Sequence, residues 1–145
     1  MIKYDQAEKA DFKEIFKLLE INGLPYSDLN DNPVTFFVAR DGEKIIGSIG
    51  LEMYGYDGLL RSFAVIPEMQ NHGIGKELYG NLMAFVKQNR IKTVHLLTDT
   101  ARDYFSRIGF RLSNRKDAPE RIVQSTEFSG LCPNSSTYMV LDIIP

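Results

Sequence analysis

The feature that most constrains this 145-residue chain is a change of hydrophobic period at Pro67. Before it, Leu59 to Ile66 reads as a strand. After it, Ile74, Leu78, Leu82, Phe85 and Val86 share one face of a helix that runs to about Asn89. Thr93 to Leu97 is then a short apolar strand. Strand, helix and strand in that order cross over right-handedly, with the two strands parallel in one sheet. Upstream, Thr35 to Ala39 and Lys44 to Tyr54 are strands, joined through the Asp41-Gly42 turn signal and followed by another at Asp57-Gly58. They complete an antiparallel meander with Leu59 to Ile66. The expectation is an α+β chain: an antiparallel N-terminal meander, then a βαβ unit, in a mixed central sheet flanked by helices.

The rest of the chain fits around that frame. Ile2 and Tyr4 alternate with polar residues, a weak strand signal. Phe12, Ile15, Phe16 and Leu19 recur at helical spacing, closed by Asn22-Gly23. A loop follows with Pro25, Asp28, Asn30, Asp31 and Pro33. Ala101, Phe105 and Ile108 mark a short helix closed by Gly109, with Phe110 to Leu112 as a strand after it. Ala118 to Gln124 reads as a helical turn and Tyr138 to Ile144 as the last strand. No repeat or linker divides the sequence, so residues 1–145 are expected to form a single domain.

A net charge of -2 lacks the basic footprint of a nucleic-acid binder. The apolar runs are far too short for a membrane span, and the first residues do not read as a signal peptide. Neither nucleic acid nor membrane is an expected partner, and a cytoplasmic location is the default. One cysteine builds no disulfide framework, and two histidines with it make no metal-ligand spacing, so no metal is expected.

The chemistry is concentrated in Val65-Ile66-Pro67-Glu68-Met69-Gln70-Asn71-His72-Gly73-Ile74-Gly75-Lys76. A strand ends, a short loop carries two close glycines, and a helix begins. The first N–H groups of a helix lack internal partners and sit at the positive end of its dipole, which makes an anion site. Glycines let a ligand approach the backbone closely. Gln70 and His72 offer side-chain donors there and Lys76 a charge, although a plain capped turn would leave the same trace. The spacing fits neither the Walker loop nor the three-glycine dinucleotide fingerprint.

Gln70-Asn71-His72-Gly73-Ile74-Gly75 resembles the Q/R-x-x-G-x-G/A signature of the GNAT N-acetyltransferase superfamily. Phe63-Ala64-Val65 with Pro67 resembles the strand before that loop, and Ala101 to Phe110 (ARDYFSRIGF) the family's second cofactor-side helix with its Gly-Phe ending. A narrower likeness joins GLPYSDL at 23–29, IGLEMYG at 49–55, LLRSFAV at 59–65, LLTDTARDYF at 96–105, APERI at 118–122 and TEFSGLCPNSS at 126–136 to N-acetyltransferases encoded with arsenic-resistance genes. The resemblance implies transfer of an acetyl group from acetyl-CoA, as co-substrate, to the amine of a small, amino-acid-like molecule. It leaves open a non-catalytic acyl-CoA sensor and a protein or peptide N-acetyltransferase. A homodimer is common in the superfamily, and an exposed last strand would offer an edge.

By that likeness the pyrophosphate rests on the backbone from Gln70 through Asn71, His72, Gly73, Ile74 and Gly75 to Lys76. The pantetheine arm pairs with the strand Phe63, Ala64 and Val65, and an N–H near Val65 polarises the thioester carbonyl. Phe105 lies beside the cofactor. A substrate ammonium must lose a proton before the amine attacks, and Glu52 is the candidate base, directly or through water. It shares a strand face with Ser48 and Gly50, opposite Ile49 and Leu51; a merely solvated glutamate is the alternative. Arg61 would clamp a substrate carboxylate or, equally, form a structural ion pair. The superfamily's tyrosine acid has no direct counterpart: Phe105 occupies its place, and Tyr104, the candidate catalytic acid in its stead, lies one residue earlier, rotated by about 100° on a helix, and would reach the sulfur only if the helix is shifted. The chain is expected to work without that acid, because a thiol of pKa about 8.5 leaves tolerably as thiolate. Glu127 and Ser135-Ser136 belong to a segment expected to wall the acceptor pocket, His95 to pack within its strand, and Cys132 to be an inert packed thiol.

Overall fold

The computed structural model describes residues 1–29, 33–131 and 136–143. Expectations for Asn30, Asp31, Cys132, Ser135 and Ile144 lie outside them. Seven strands form one mixed sheet in the order β1-β2-β3-β4-β5-β7-β6. They are β1 Ile2–Gln6, β2 Thr35–Asp41, β3 Lys44–Tyr54, β4 Asp57–Val65, β5 Thr93–Thr98, β6 Arg111–Leu112 and β7 Thr137–Asp142. The helices are α1 Phe12–Ile21, α2 Ile74–Gln88, α3 Arg102–Arg107 and α4 Glu120–Val123. Pairing is antiparallel throughout except between β4 and β5, which α2 connects in parallel. The mixed α+β sheet expected from the periodicity is therefore present, with β1 added at its edge.

Two apolar layers hold the sheet. Ile74, Leu78, Leu82 and Val86 of α2 are each at most 1% exposed and pack with Ile46, Ile49, Leu51 and Leu60. The fit is close: a Cβ on Gly47 would meet Leu78 Cδ1 at 3.0 Å, so this strand position has no room for a side chain. On the other face, Ile15, Leu18 and Leu19 of α1 join Leu29, Phe36, Val38 and Ala64. The opposed faces expected of Glu52 and Leu51 follow, since Leu51 belongs to the α2 layer.

Two local expectations are corrected. The turn between β3 and β4 is Gly55-Tyr56, where Gly55 has φ 65°, rather than Asp57-Gly58. Asp57 and Gly58 already pair with Tyr54 and Met53, and a Cβ on Gly58 would meet Leu51 Cδ1 at 2.9 Å. That glycine serves packing and not the turn. Nor is the last strand the sheet's edge: β7 lies between β5 and β6, with Arg111 opposite Val140 and Leu112 opposite Met139.

Two features open the sheet at its centre. Ser48 pairs with Ala64, but Gly50 pairs with Arg61, so Ile49 faces the two residues Ser62 and Phe63. This is a β-bulge, and Ser62 takes φ 57° to make it, an uncommon conformation for serine. Ser48 Oγ donates to the Ser62 carbonyl at 2.8 Å, which holds the bulge from the β3 side. On the other side, β4 and β5 pair only at Asp57–Thr93, Gly58–Val94 and Leu59–His95. Past that point the two strands run on without pairing to each other, so a gap separates residues 60–65 from 96–98.

Candidate functional site

One end of the gap is the loop that enters α2. Pro67–Met69 is a single 3₁₀ turn, Asn71 has φ 66° and Gly73, the residue before the helix, has φ 84°. The first helical hydrogen bond runs from the Glu77 N–H to the Gly73 carbonyl at 3.2 Å. The N–H groups of Ile74, Gly75 and Lys76 thus lack an intrahelical acceptor, and no side chain caps them. The Ile74 side chain is buried in the core, so only its backbone faces the loop. Gly75 lies under aromatic rings: a Cβ there would stand 3.5 Å from Phe63 Cζ and 3.9 Å from the Tyr104 hydroxyl oxygen.

The loop's own side chains brace it. Gln70 Nε2 donates to the Val65 carbonyl at 3.0 Å, so its side-chain donor is engaged inside the loop and not held out for a ligand. His72 Nδ1 lies 2.9 Å from the Gln70 carbonyl oxygen. A carbonyl only accepts, so Nδ1 carries the hydrogen and Nε2 of the neutral ring is an acceptor. His72 therefore offers an anion a second donor only as imidazolium. Lys76 is exposed.

The other end is a buried cluster around Arg61, which is 3% exposed. Nη1 and Nη2 donate to both oxygens of Asp28 at 2.5 and 2.7 Å, a bidentate pair. Nη1 also donates to Glu52 Oε2 at 2.8 Å, and Nε to Ser62 Oγ at 3.3 Å. The other Glu52 oxygen accepts from the Tyr54 hydroxyl. Glu127 Oε2 approaches Arg61 Nε at 3.5 Å. Glu127 opens a π-turn, Glu127–Leu131, in the segment between β6 and β7. The four members thus come from the α1–β2 loop, β3, β4 and that segment. Of the two readings of Arg61 that the sequence left open, the geometry is that of the ion pair. Glu52 is 1% exposed, which corrects the alternative of a solvated glutamate.

The electrostatics follow from burial. Loss of water raises the Glu127 carboxyl to about 7, against the pull of Arg61 and with the push of Glu52 and Asp28. Burial weakens the Arg61 charge, but the Asp28 bonds, the Glu127 charge and the Glu52 bond outweigh it and keep the guanidinium ionised. Burial and the bond to Glu52 raise the Tyr54 hydroxyl. Among the described residues, no group of three His, Cys, Asp or Glu side chains is arranged to hold a metal ion; a guanidinium fills the centre of this one.

The sheet layout has counterparts among known proteins. The acetyltransferase (GNAT) family pattern matches residues 4–110. The chain belongs to the GNAT acetyltransferase family. It is 28% identical over 110 residues to an uncharacterised N-acetyltransferase of Chlorobaculum tepidum, spanning 75% of this chain and 66% of that one. In fold it is similar to N-acetylglutamate synthase from Neisseria gonorrhoeae, solved with coenzyme A and N-acetyl-glutamate. The TM-score is 0.83 at 19% identity, over 100% of this chain but only 36% of the synthase. It is similar also to the ribosomal-protein-S18-alanine N-acetyltransferase of Escherichia coli, with TM-score 0.77 at 18% identity over 100% and 96% of the two chains.

Within this GNAT chain, the α3 residues separate. Phe105 is 6% exposed and stacks edge-on against Phe110, a core position. Tyr104 is half-buried, meets the Phe63 ring at 6.0 Å and carries its hydroxyl near Gly75, with its pKa raised by burial. It is thus Tyr104 that faces the loop end of the gap. His95 is held between Asp57 at 2.8 Å and the Tyr138 hydroxyl at 2.7 Å, side-chain bonds that the strand reading did not specify. A cleft of about 700 Å³ between α1, Lys44-Ile45 and Ile66–Glu68 contains neither the Arg61 cluster nor the α2 terminus. Sequence reasoning missed two contributors. Asp28 looked like a turn residue among Pro25, Asn30 and Asp31, and nothing marked Ser62 as the bulge.

Proposed function

We propose that the chain transfers an acetyl group from acetyl-CoA to the amine of a small, amino-acid-like molecule. The observation that carries this reading is one gap with two unlike ends. Bare backbone N–H groups mark one end and a buried Arg61–carboxylate cluster the other. An anionic cofactor and an ammonium-bearing acceptor need those two environments.

The residues fit acetyl-CoA. Its pyrophosphate would take the N–H groups of Ile74, Gly75 and Lys76, with Gly73 and Asn71 setting the turn and the Lys76 charge adding attraction. Gln70 would keep the loop closed on Val65. The unpaired edge of Phe63, Ala64 and Val65 would receive the pantetheine as an added strand, and an N–H near Val65 would polarise the thioester carbonyl. Tyr104 and Phe105 would wall the cofactor side, with no acid required. On the acceptor side, Arg61, Glu52 and Glu127 would line the pocket, and a carboxylate would remove the ammonium proton. The amine nitrogen then bonds the acyl carbon, the C–S bond breaks, and the thiolate takes a proton from the new amide nitrogen. The narrower likeness to arsenic-resistance N-acetyltransferases supports a toxic amino-acid analogue among the acceptors.

A second reading is a protein N-terminal acetyltransferase. The observation in its favour is the near full-length likeness to the E. coli enzyme that acts on a ribosomal protein. Thermal-shift screening with acetyl-CoA, then thiol-release assays over L-amino acids, their phosphinic and arsenical analogues, and short peptides, tests both. Stabilisation by acetyl-CoA with thiol release on free amino acids or their analogues is expected. Release on peptides alone would favour the second reading; binding without release on any amine would make the chain a sensor.

A further inference from the structure

The cluster around Arg61 carries more than its charge count first suggests. Three carboxylates face one guanidinium, and the four residues are between 1% and 6% exposed. With all of them ionised, two negative charges would be unmatched in a site almost without water, which is costly. A proton in the cluster relieves that cost, and the hydrogen bonds decide where it sits. Both oxygens of Asp28 accept from Arg61, at 2.5 and 2.7 Å. Glu52 accepts from Arg61 with one oxygen and from Tyr54 with the other. Among the described residues, Glu127 has only the 3.5 Å approach to Arg61 Nε, too long for a good hydrogen bond. It is the carboxylate that gains most from a proton and loses least by giving one up.

We propose that Glu127, and not Glu52, takes the proton from the acceptor ammonium, while Arg61 acts as the positioning residue that fixes Asp28 and Glu52 beside it. This rests on the acetyltransferase reading and names the base within that same site. The charged groups facing Glu127 are Arg61 from β4, Glu52 from β3 and Asp28 from the α1–β2 loop. From α4 and β7, Ile122 and Tyr138 pack in the cluster of Phe128, the next residue. The proton passes from R–NH₃⁺ to the Glu127 carboxylate, leaving R–NH₂ with its lone pair free, and Glu127 returns it to solvent after transfer. A proton on Glu52 would weaken the bonds it accepts from Arg61 and Tyr54, because a neutral carboxyl is a poorer acceptor than a carboxylate. A carboxyl poised near neutrality, as burial makes Glu127, suits a base working at neutral pH.

The test compares wild type, Glu127→Gln and Glu52→Gln, using the L-amino acid that releases thiol fastest in the panel above. In the free protein, carboxyl NMR titration is expected to show one group with an inflection near neutral pH that Glu127→Gln removes. In wild type, kcat/KM rises with pH through the same inflection. Glu127→Gln lowers kcat/KM by about 100-fold or more at pH 7, removes the inflection, and recovers as the amine deprotonates by itself at high pH. Acetyl-CoA affinity by calorimetry stays within about twofold for the same variant, since its carboxyl belongs to the Arg61 cluster and not to the α2 terminus. A neutral inflection that survives in Glu127→Gln, or that Glu52→Gln removes instead, overturns the assignment while leaving the acetyltransferase reading intact. A loss of rate uniform across pH does the same, because a structural defect would produce it. Failure of wild type to release thiol from any amine defeats both.

Discussion

At the loop end of the gap the groups on offer are main-chain N–H groups from the consecutive residues Ile74, Gly75 and Lys76. At the acceptor end they are side chains, one each from Asp28, Glu52, Arg61 and Glu127, brought together from positions up to 99 residues apart. The first end is open to solvent and owes its charge to a helix terminus, which survives most side-chain changes. The second is buried, and its carboxylates and guanidinium offset one another's charge. A backbone site should therefore lose ligand without losing the fold, whereas a buried charge cluster should lose the fold, or its pH dependence, before anything else.

The largest effect should come from breaking the cluster at its centre. Arg61→Met strands three carboxylates, and urea unfolding at pH 7.5 should show a loss of about 4 kcal/mol. A loss below about 1 kcal/mol would mean that water reaches the cluster and the two ends are less different than described.

Next is the pH dependence of wild-type stability. Glu127 has a folded value of about 7, above the ordinary 4.5, so the native chain holds a proton that the unfolded chain releases between those values. Its contribution thus makes stability fall as pH rises from about 4.5 to 7 and stay low above, by about 3 kcal/mol in all. Glu127→Gln mimics the protonated form. It should match wild type near pH 4.5 and exceed it by up to that amount at pH 8 in the same unfolding assay.

The loop end is sharpened by Gly75→Val. Its side chain enters the space beside Phe63 and Tyr104 without meeting main chain. Acetyl-CoA affinity should fall at least tenfold, about 1.4 kcal/mol, while unfolding free energy changes by less than about 1 kcal/mol. An equal loss of stability and binding would make this glycine a core residue.

The smallest effect is expected at Tyr104. Its hydroxyl lies by Gly75 at the loop end, so Tyr104→Phe should lower turnover by less than about tenfold. A fall beyond about 100-fold with cofactor affinity unchanged would show that this tyrosine is the acid after all.

How far the sequence could be read follows the same division. The βαβ unit was legible because Ile74, Leu78, Leu82 and Val86 repeat at the helical period and Pro67 ends the strand signal before them. The anion loop was legible because its parts are contiguous. The strand at Phe110 to Leu112 was legible too, but not its place beside β7, since a strand only two residues long carries no signal of the edge it joins. The turn at Gly55-Tyr56 was misplaced because a glycine demanded by packing at Gly58 looks, in one dimension, like a glycine demanded by a turn.

The sequence by itself determined the order of elements, the apolar faces and the place where a helix terminus meets a glycine loop, because each depends on residues a few positions apart. Only the tertiary structure decided that Arg61 is neutralised from within, that Ser62 bulges and that Glu127, among the described residues, has no close donor. Those outcomes depend on which distant segments share a dry space, and burial, not spacing along the chain, sets the cost of every charge placed there.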